Sequence, residues 1–155
     1  MRARRVKVPE EIRALDDLGG AGYADAFEVA AGGVERSAEA WAREVFEGLA
    51  SWQRVLLVLG WRVVMGFGPG PADPAHVLGW RVTTASPASI TLEQVSSRVR
   101  AHVVLKVSGA HLVLVTLVRR ENPAGRLAWL LGGPVHRRVI PFAMGRAVAR
   151  RRVLT

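Results

Sequence analysis

The sequence predicts an α+β fold. An antiparallel sheet with one apolar face is followed by a long C-terminal helix laid on that face, and two short helices come after the first strand. Three patterns predict it. The stretch RVRAHVVLKV, Arg98 to Val107, places Val99, Ala101, Val103, Leu105 and Val107 on one side and Arg98, Arg100, His102, Val104 and Lys106 on the other. Such alternation marks a strand buried on one side. By contrast, Trp41, Val45, Phe46, Leu49 and Trp52 recur at helical spacing. So do Leu127, Leu130, Leu131, Val135, Val139, Phe142 and Met144.

Composition narrows the class. The chain has 155 residues, half of them hydrophobic, which suits one compact domain. Residues 1–22 read as a lead-in and 23–155 as that domain. Without cysteine there is neither a disulfide nor a thiolate-bound metal. The formal net charge is +9, and Lys7 and Lys106 are the only lysines. This excess attracts anions in general: nucleic acid, membrane surfaces or acidic ligands. The most apolar stretch, Val55 to Gly68, is too short to span a bilayer and carries Arg62. The N-terminus is basic but lacks the apolar run of a secretory signal, so a cytoplasmic protein is expected.

The elements follow in order. YADAFEVAA, Tyr23 to Ala31, reads as the first strand and ends at Gly32-Gly33. Ser37 suits a helix N-cap, with Glu39 in the first turn. Ser51 can cap a second helix to about Met65. A single helix would run about 45 Å at ~1.5 Å per residue, too long for this domain, so a bend is expected near Ala50-Ser51. Gly and Pro dominate Gly66 to Gly79, which reads as a loop and as the place for a mobile flap.

Four strands are then expected. GWRVTTA sets Trp80, Val82 and Thr84 against Arg81 and Thr83, and SITLEQ sets Ile90 and Leu92 against Thr91 and Glu93. RVRAHVVLKV and HLVLVTLVRRE complete a meander. A turn at Ser108-Gly109 pairs Leu105 with Leu112, Val103 with Leu114, Ala101 with Thr116 and Val99 with Val118. A turn at Gly109-Ala110 keeps the same face and changes only the partners. A turn at Val95-Ser96 sets Leu92 opposite Val99 and Glu93 opposite Arg98. The tail from Asn122 to about Arg152 reads as helix, which Gly132-Gly133-Pro134 should kink or break; Pro134 suits the first turn of its continuation.

This order resembles the START and polyketide-cyclase superfamily, also called SRPBCC, with its helix-grip fold. GWRV (Gly79 to Val82), GRLAW (Gly125 to Trp129) and PVHRRVIP (Pro134 to Pro141) more closely resemble short actinobacterial proteins of the family called domain of unknown function 2867. The resemblance covers nearly all of the chain from Tyr23. It departs from the superfamily in offering four clear strands after the helices where six are common. It implies a cavity between sheet and helix that carries or transforms an apolar ligand, although a fold alone does not fix a function.

The lining expected for that cavity is Trp80, Val82, Ile90, Leu92, Val103, Leu105, Leu112, Leu114 and Thr116 from the sheet, with Leu131 and Phe142 from the helix. Thr116 is the clear polar handle. An ordinary packed core fits the same residues. Inward positions are nearly inert, so no catalytic residue is assigned; His136, on the final helix, is the weak candidate. Its neighbours Arg137 and Arg138 argue that this turn meets solvent. Tyr23, Asp25 and Glu121 fit a cavity rim or the plain surface. His76, His102, His111 and His136 are dispersed, and HExxH, GxSxG and P-loop patterns do not occur, so neither a metal nor a cofactor is expected.

Two readings concern the outer sheet face. Arg81, Arg98, Arg100, Lys106 and Arg119 could meet phosphates, but the face lacks aromatic stacking platforms, which argues against nucleic acid. Val104, Val113, Val115 and Leu117 form an apolar patch for a homodimer, or for cover by the N-terminal segment or a helix. The expected function is binding or carriage of an apolar small molecule or lipid-like ligand. The alternatives are a metal-free polyketide cyclase or dehydratase using the same cavity, and an interaction module with a vestigial cavity. An inward ionisable residue with a partner would favour the enzyme.

Overall fold

A computed structural model describes residues 2–14, 22–32, 35–68 and 70–154. Gly33 and Pro69, placed by sequence at the end of the first strand and in the loop, lie outside the described residues. The fold is α+β: a seven-stranded antiparallel sheet gripping a long C-terminal helix. The strands are β1 (Arg4–Val6), β2 (Tyr23–Ala30), β3 (His76–Val77), β4 (Trp80–Ser86), β5 (Ser89–Val95), β6 (Val99–Ser108) and β7 (His111–Arg120), in the order β1-β2-β7-β6-β5-β4-β3. The helices are α1 (Glu10–Ala14), α2 (Ala38–Glu47), α3 (Ser51–Gly60), which continues as a π turn over Trp61–Met65, and α4 (Pro123–Leu154).

The register arranges the inner face in rows. Leu105 pairs with Leu114, Val103 with Thr116 and Ala101 with Val118 around a Gly109-Ala110 turn, where Gly109 takes a positive φ. The Ser108-Gly109 turn is not used. The β5–β6 connection differs from the Val95-Ser96 turn: Leu92 pairs with Val103, Glu93 with His102 and Val95 with Arg100. The loop is longer because it has work at the π turn. Ser96 Oγ accepts from the amides of Arg98 and Val99 and donates to Met65 O at 2.7 Å. Arg98 Nη1 reaches the carbonyls of Val63 and Val64, so this arginine caps a helix end rather than serving a basic outer face.

β4 also departs from strict alternation. Its register shifts between Val82 and Thr84, so Thr84 pairs with Thr91 and is exposed rather than inward with Trp80. The expected Gly66–Gly79 loop contains β3, which joins β4 through a two-residue turn at Leu78-Gly79, both at positive φ. Five strands therefore follow the helices instead of four. In place of an open flap, Arg43 of α2 holds the carbonyls of Pro74 and His76, and Glu47 accepts from the Leu78 amide.

Ser37 caps α2 by accepting from the Ala40 amide. The bend before α3 is present, but Ser51 is its first residue; Ala50 holds the cap position, and its amide donates to Gln53 Oε1. α4 runs unbroken through Gly132-Gly133-Pro134 and past Pro141. Each internal proline forfeits one helical hydrogen bond. Burial of Ala128, Trp129, Ile140, Ala143, Met144, Ala147 and Val148 offsets that loss, since tertiary packing supplies most helix stability in proteins. Gly132 permits close approach: a Cβ there would lie 2.3 Å from Met65 Cε.

The N-terminal segment read as a lead-in is part of the fold. β1 pairs with β2, and Val8 and Ile12 pack on the outer face against Ala26, Val115 and Leu117. Val104 and Val113 adjoin this cluster, and Lys106 pairs with Glu11. The apolar patch expected to offer itself to a second copy is thus covered by the chain's own N-terminus. The physical reason is burial: each such valine or leucine removed from water contributes about 1.5–3 kcal/mol.

Candidate functional site

The inner face divides along the strands. Towards the β6–β7 turn, Phe27, Ile90, Leu105, Leu112 and Leu114 pack in a continuous core with Trp41 and Val45 of α2 and Met144 of α4. At the opposite strand ends stand Trp80 of β4, Ala101 of β6 and Val118 of β7, with Phe46 from the last turn of α2 beside them. There Phe46, α3, the π turn and residues 129–142 of α4 enclose a cavity of about 440 Å³. That lies within the usual ~300–1,000 Å³ of ligand pockets. Ala101 is the small residue in its floor. Trp52 and Leu56 of α3 and Leu131, Val135 and Phe142 of α4 are exposed as well as lining, so the mouth opens between these helices.

The two sides of the cavity differ in chemistry. On the β4 side Trp61 and Phe67 meet Trp80 edge-on, and Phe46 packs on Trp61. Three strand steps away, about 14 Å at ~4.8 Å per step, the wall is polar. Thr116 of β7 and His136 of α4 line it, with Trp129. Thr116 Oγ1, Trp129 Nε1 and Trp80 Nε1 are buried without a hydrogen-bond partner among the described residues. Unpaired buried donors are costly and point to groups waiting for a partner.

Behind His136 stands a buried carboxylate. Asp25, 1% exposed, lies opposite Thr116 on β2. Its Oδ2 accepts from the Tyr23 hydroxyl at 2.5 Å and sits 3.2 Å from His136 Nε2. That approach is too oblique for a hydrogen bond, so His136 Nε2 and Asp25 Oδ1 keep unused capacity. Arg137 donates to the Tyr23 hydroxyl and lies over its ring. Trp129 packs at a tilt against both Tyr23 and His136, with ring centroids 4.8 and 5.2 Å apart. Burial first, then the bond to Asp25, raises the Tyr23 pKa, so the phenol stays a donor at neutral pH. An imidazole held against a buried carboxylate can accept, donate or pass a proton.

A family model described as protein of unknown function, DUF2867, matches residues 18–143. The chain belongs to that family. No curated protein and no solved structure matches this DUF2867 chain. Among its described residues no helix is long and apolar enough to cross a membrane, and no group of three or more His, Asp or Glu is placed to hold a metal.

Of the lining residues expected from sequence, Trp80, Val103, Thr116, Leu131 and Phe142 meet at the cavity. Val82, Ile90, Leu92, Leu105, Leu112 and Leu114 do not. They share the inner side of the sheet, but α2 and the second half of α4 fill the space over them. Substituting Leu114 would therefore damage the core. His136 does line the cavity, whereas Glu121 is exposed beside Arg119. His102, placed outward, is buried against Glu93 at 2.7 Å.

Sequence reasoning missed the outer wall, including Leu56, Trp61 and Val64, because helical spacing does not say which helix face meets a cavity. It also read Asp25 as a rim or surface residue. A signal was there: Tyr23, Asp25, Phe27 and Val29 share strand parity, so an inward Phe27 takes Asp25 inward with it.

Proposed function

We propose that this protein binds and carries an apolar small molecule or lipid-like ligand that has one polar end. The observation that carries this reading is the 440 Å³ cavity, whose wall is hydrocarbon and aromatic apart from Gln53, Trp80 Nε1 and the polar atoms of Thr116, Trp129 and His136. The apolar body of the ligand lies along Ala101, Val103 and the aromatic cluster. Its polar end supplies Thr116 Oγ1 and Trp129 Nε1 with the partners they lack. A preformed apolar pocket with a few converging polar groups is the usual form of a small-molecule site.

Native mass spectrometry of protein purified from its host is the direct test, and a co-purified amphipathic compound is the expected result. Uptake of Nile red by the purified protein tests the site. Ala101→Phe, which fills the floor, should weaken uptake at least tenfold with the fold intact. Unchanged uptake would refute the site.

The Asp25–His136 pair favours a second reading, an acid–base enzyme of the cyclase or dehydratase kind. His136 would take a proton α to a carbonyl, and the β-hydroxyl would leave as water after protonation. Turnover of a β-hydroxycarbonyl chain that is lost in His136→Gln, with Nile red uptake retained, would establish it. No turnover leaves the carrier.

A further inference from the structure

We propose that the face around the cavity mouth docks on the surface of an anionic lipid bilayer, which rests on the ligand-carriage reading for its purpose and supplies the place of exchange. The first observation is exposed apolar surface where a soluble helix would be polar. No residue of α3 is buried. Trp52, Val55, Leu56, Leu59 and Val63 recur three, four or seven residues apart as one stripe, each more than half exposed. Across the mouth, Leu127, Leu130, Leu131 and Val135 of α4 form a second exposed stripe. Single exposed leucines are ordinary; two adjoining stripes flanking one opening are an interaction surface.

Charge selects the partner. Neither Ser51–Met65 nor Pro123–Leu154 contains an acidic residue. Arg62 follows Leu59 by three positions and Arg138 follows Val135 by three, so each stripe carries an exposed arginine. Beside Leu127 and Leu130, a shallow groove gathers Arg120, Arg126 and Arg137, with no carboxylate among the described residues of its lining. Apolar stripes flanked by arginines match the acyl boundary and phosphates of an anionic bilayer. A second copy would bring the same positive charge against itself. Docked in this way, the mouth opens onto the acyl chains, and a lipid-like ligand passes without crossing water.

Sedimentation of the full chain with vesicles tests this. Vesicles of phosphatidylcholine with one-third phosphatidylglycerol, by weight about a third, should bring the protein down at low salt; pure phosphatidylcholine should not. Arg62→Gln with Arg138→Gln should weaken binding about 25-fold, at roughly fivefold per arginine. Leu59→Glu with Leu130→Glu, at exposed positions that do not line the cavity, should abolish it while Nile red uptake in vesicle-free solution persists. Ala101→Phe should show the converse, so failure here and failure of the cavity reading are separable. Absence of sedimentation, or equal sedimentation with neutral vesicles, would overturn the proposal. So would light scattering that shows a dimer made monomeric by the glutamate pair.

Discussion

The interior cavity fixes the sign of one substitution's effect on stability. Ala101 is 3% exposed, sits in the floor of the cavity and faces open volume. A phenyl group there occupies on the order of 100 Å³, and at about 24 cal/mol per Å³ of void, filling it gives about 2 kcal/mol. That figure is an upper value because the mouth stays wet. Ala147, 1% exposed, is the control: it lies in the continuous core under the second half of α4. A phenylalanine there overpacks the core and should cost about 1–3 kcal/mol. At roughly 2–4 °C per kcal/mol for a chain of this size, Ala101→Phe should raise Tm by several degrees and Ala147→Phe should lower it similarly. Calorimetry with urea unfolding reads both. A fall in stability for Ala101→Phe comparable to that for Ala147→Phe would mean that the interior is filled, and the cavity argument would fail.

Four further outcomes are expected. Asp25→Ala removes the acceptor of the Tyr23 hydroxyl and the charge facing His136, and should cost about 2 kcal/mol by urea denaturation; unchanged stability would show that the cost of burying the carboxylate cancels its bonds. Burial alone would raise the pKa of Glu93, but hydrogen bonds from His102 and Arg81 outweigh it and hold the carboxylate below its usual 4.5. Its contribution is therefore present above that value and lost as pH falls through the lower folded value, so Glu93→Gln should flatten the acid limb of the stability curve, measured by Tm against pH. In the first turn of α4, Gly125→Ala would place a Cβ 2.0 Å from the Arg98 carbonyl and should cost about 2–3 kcal/mol. Gly132→Ala meets only the movable end of Met65 and should cost less than about 1 kcal/mol by the same assay.

Local chemistry was readable in the chain. Alternation across Val99 to Val107 gave the inner side of β6, helical spacing placed α2 and α4, and Ser37 marked a helix start, because each depends on residues a few positions apart. The α+β class followed from that order, and the family from GWRV, GRLAW and PVHRRVIP. What lay beyond reach were facts set by distant groups. Leu105 and Ala101 have the same parity and the same polarity, yet one is packed and the other borders a cavity, because the helices laid on the sheet close over Leu105 and leave volume beside Ala101. Gly132-Gly133-Pro134 reads as a break, yet α4 continues, because its buried side chains offset the hydrogen bonds lost at proline. Asp25 and His136 lie far apart in sequence and meet only because β2 and α4 cross. Side-chain period is a property of the backbone and travels with the sequence. The volume left between packed elements belongs to all of them at once, and only the tertiary structure decided it.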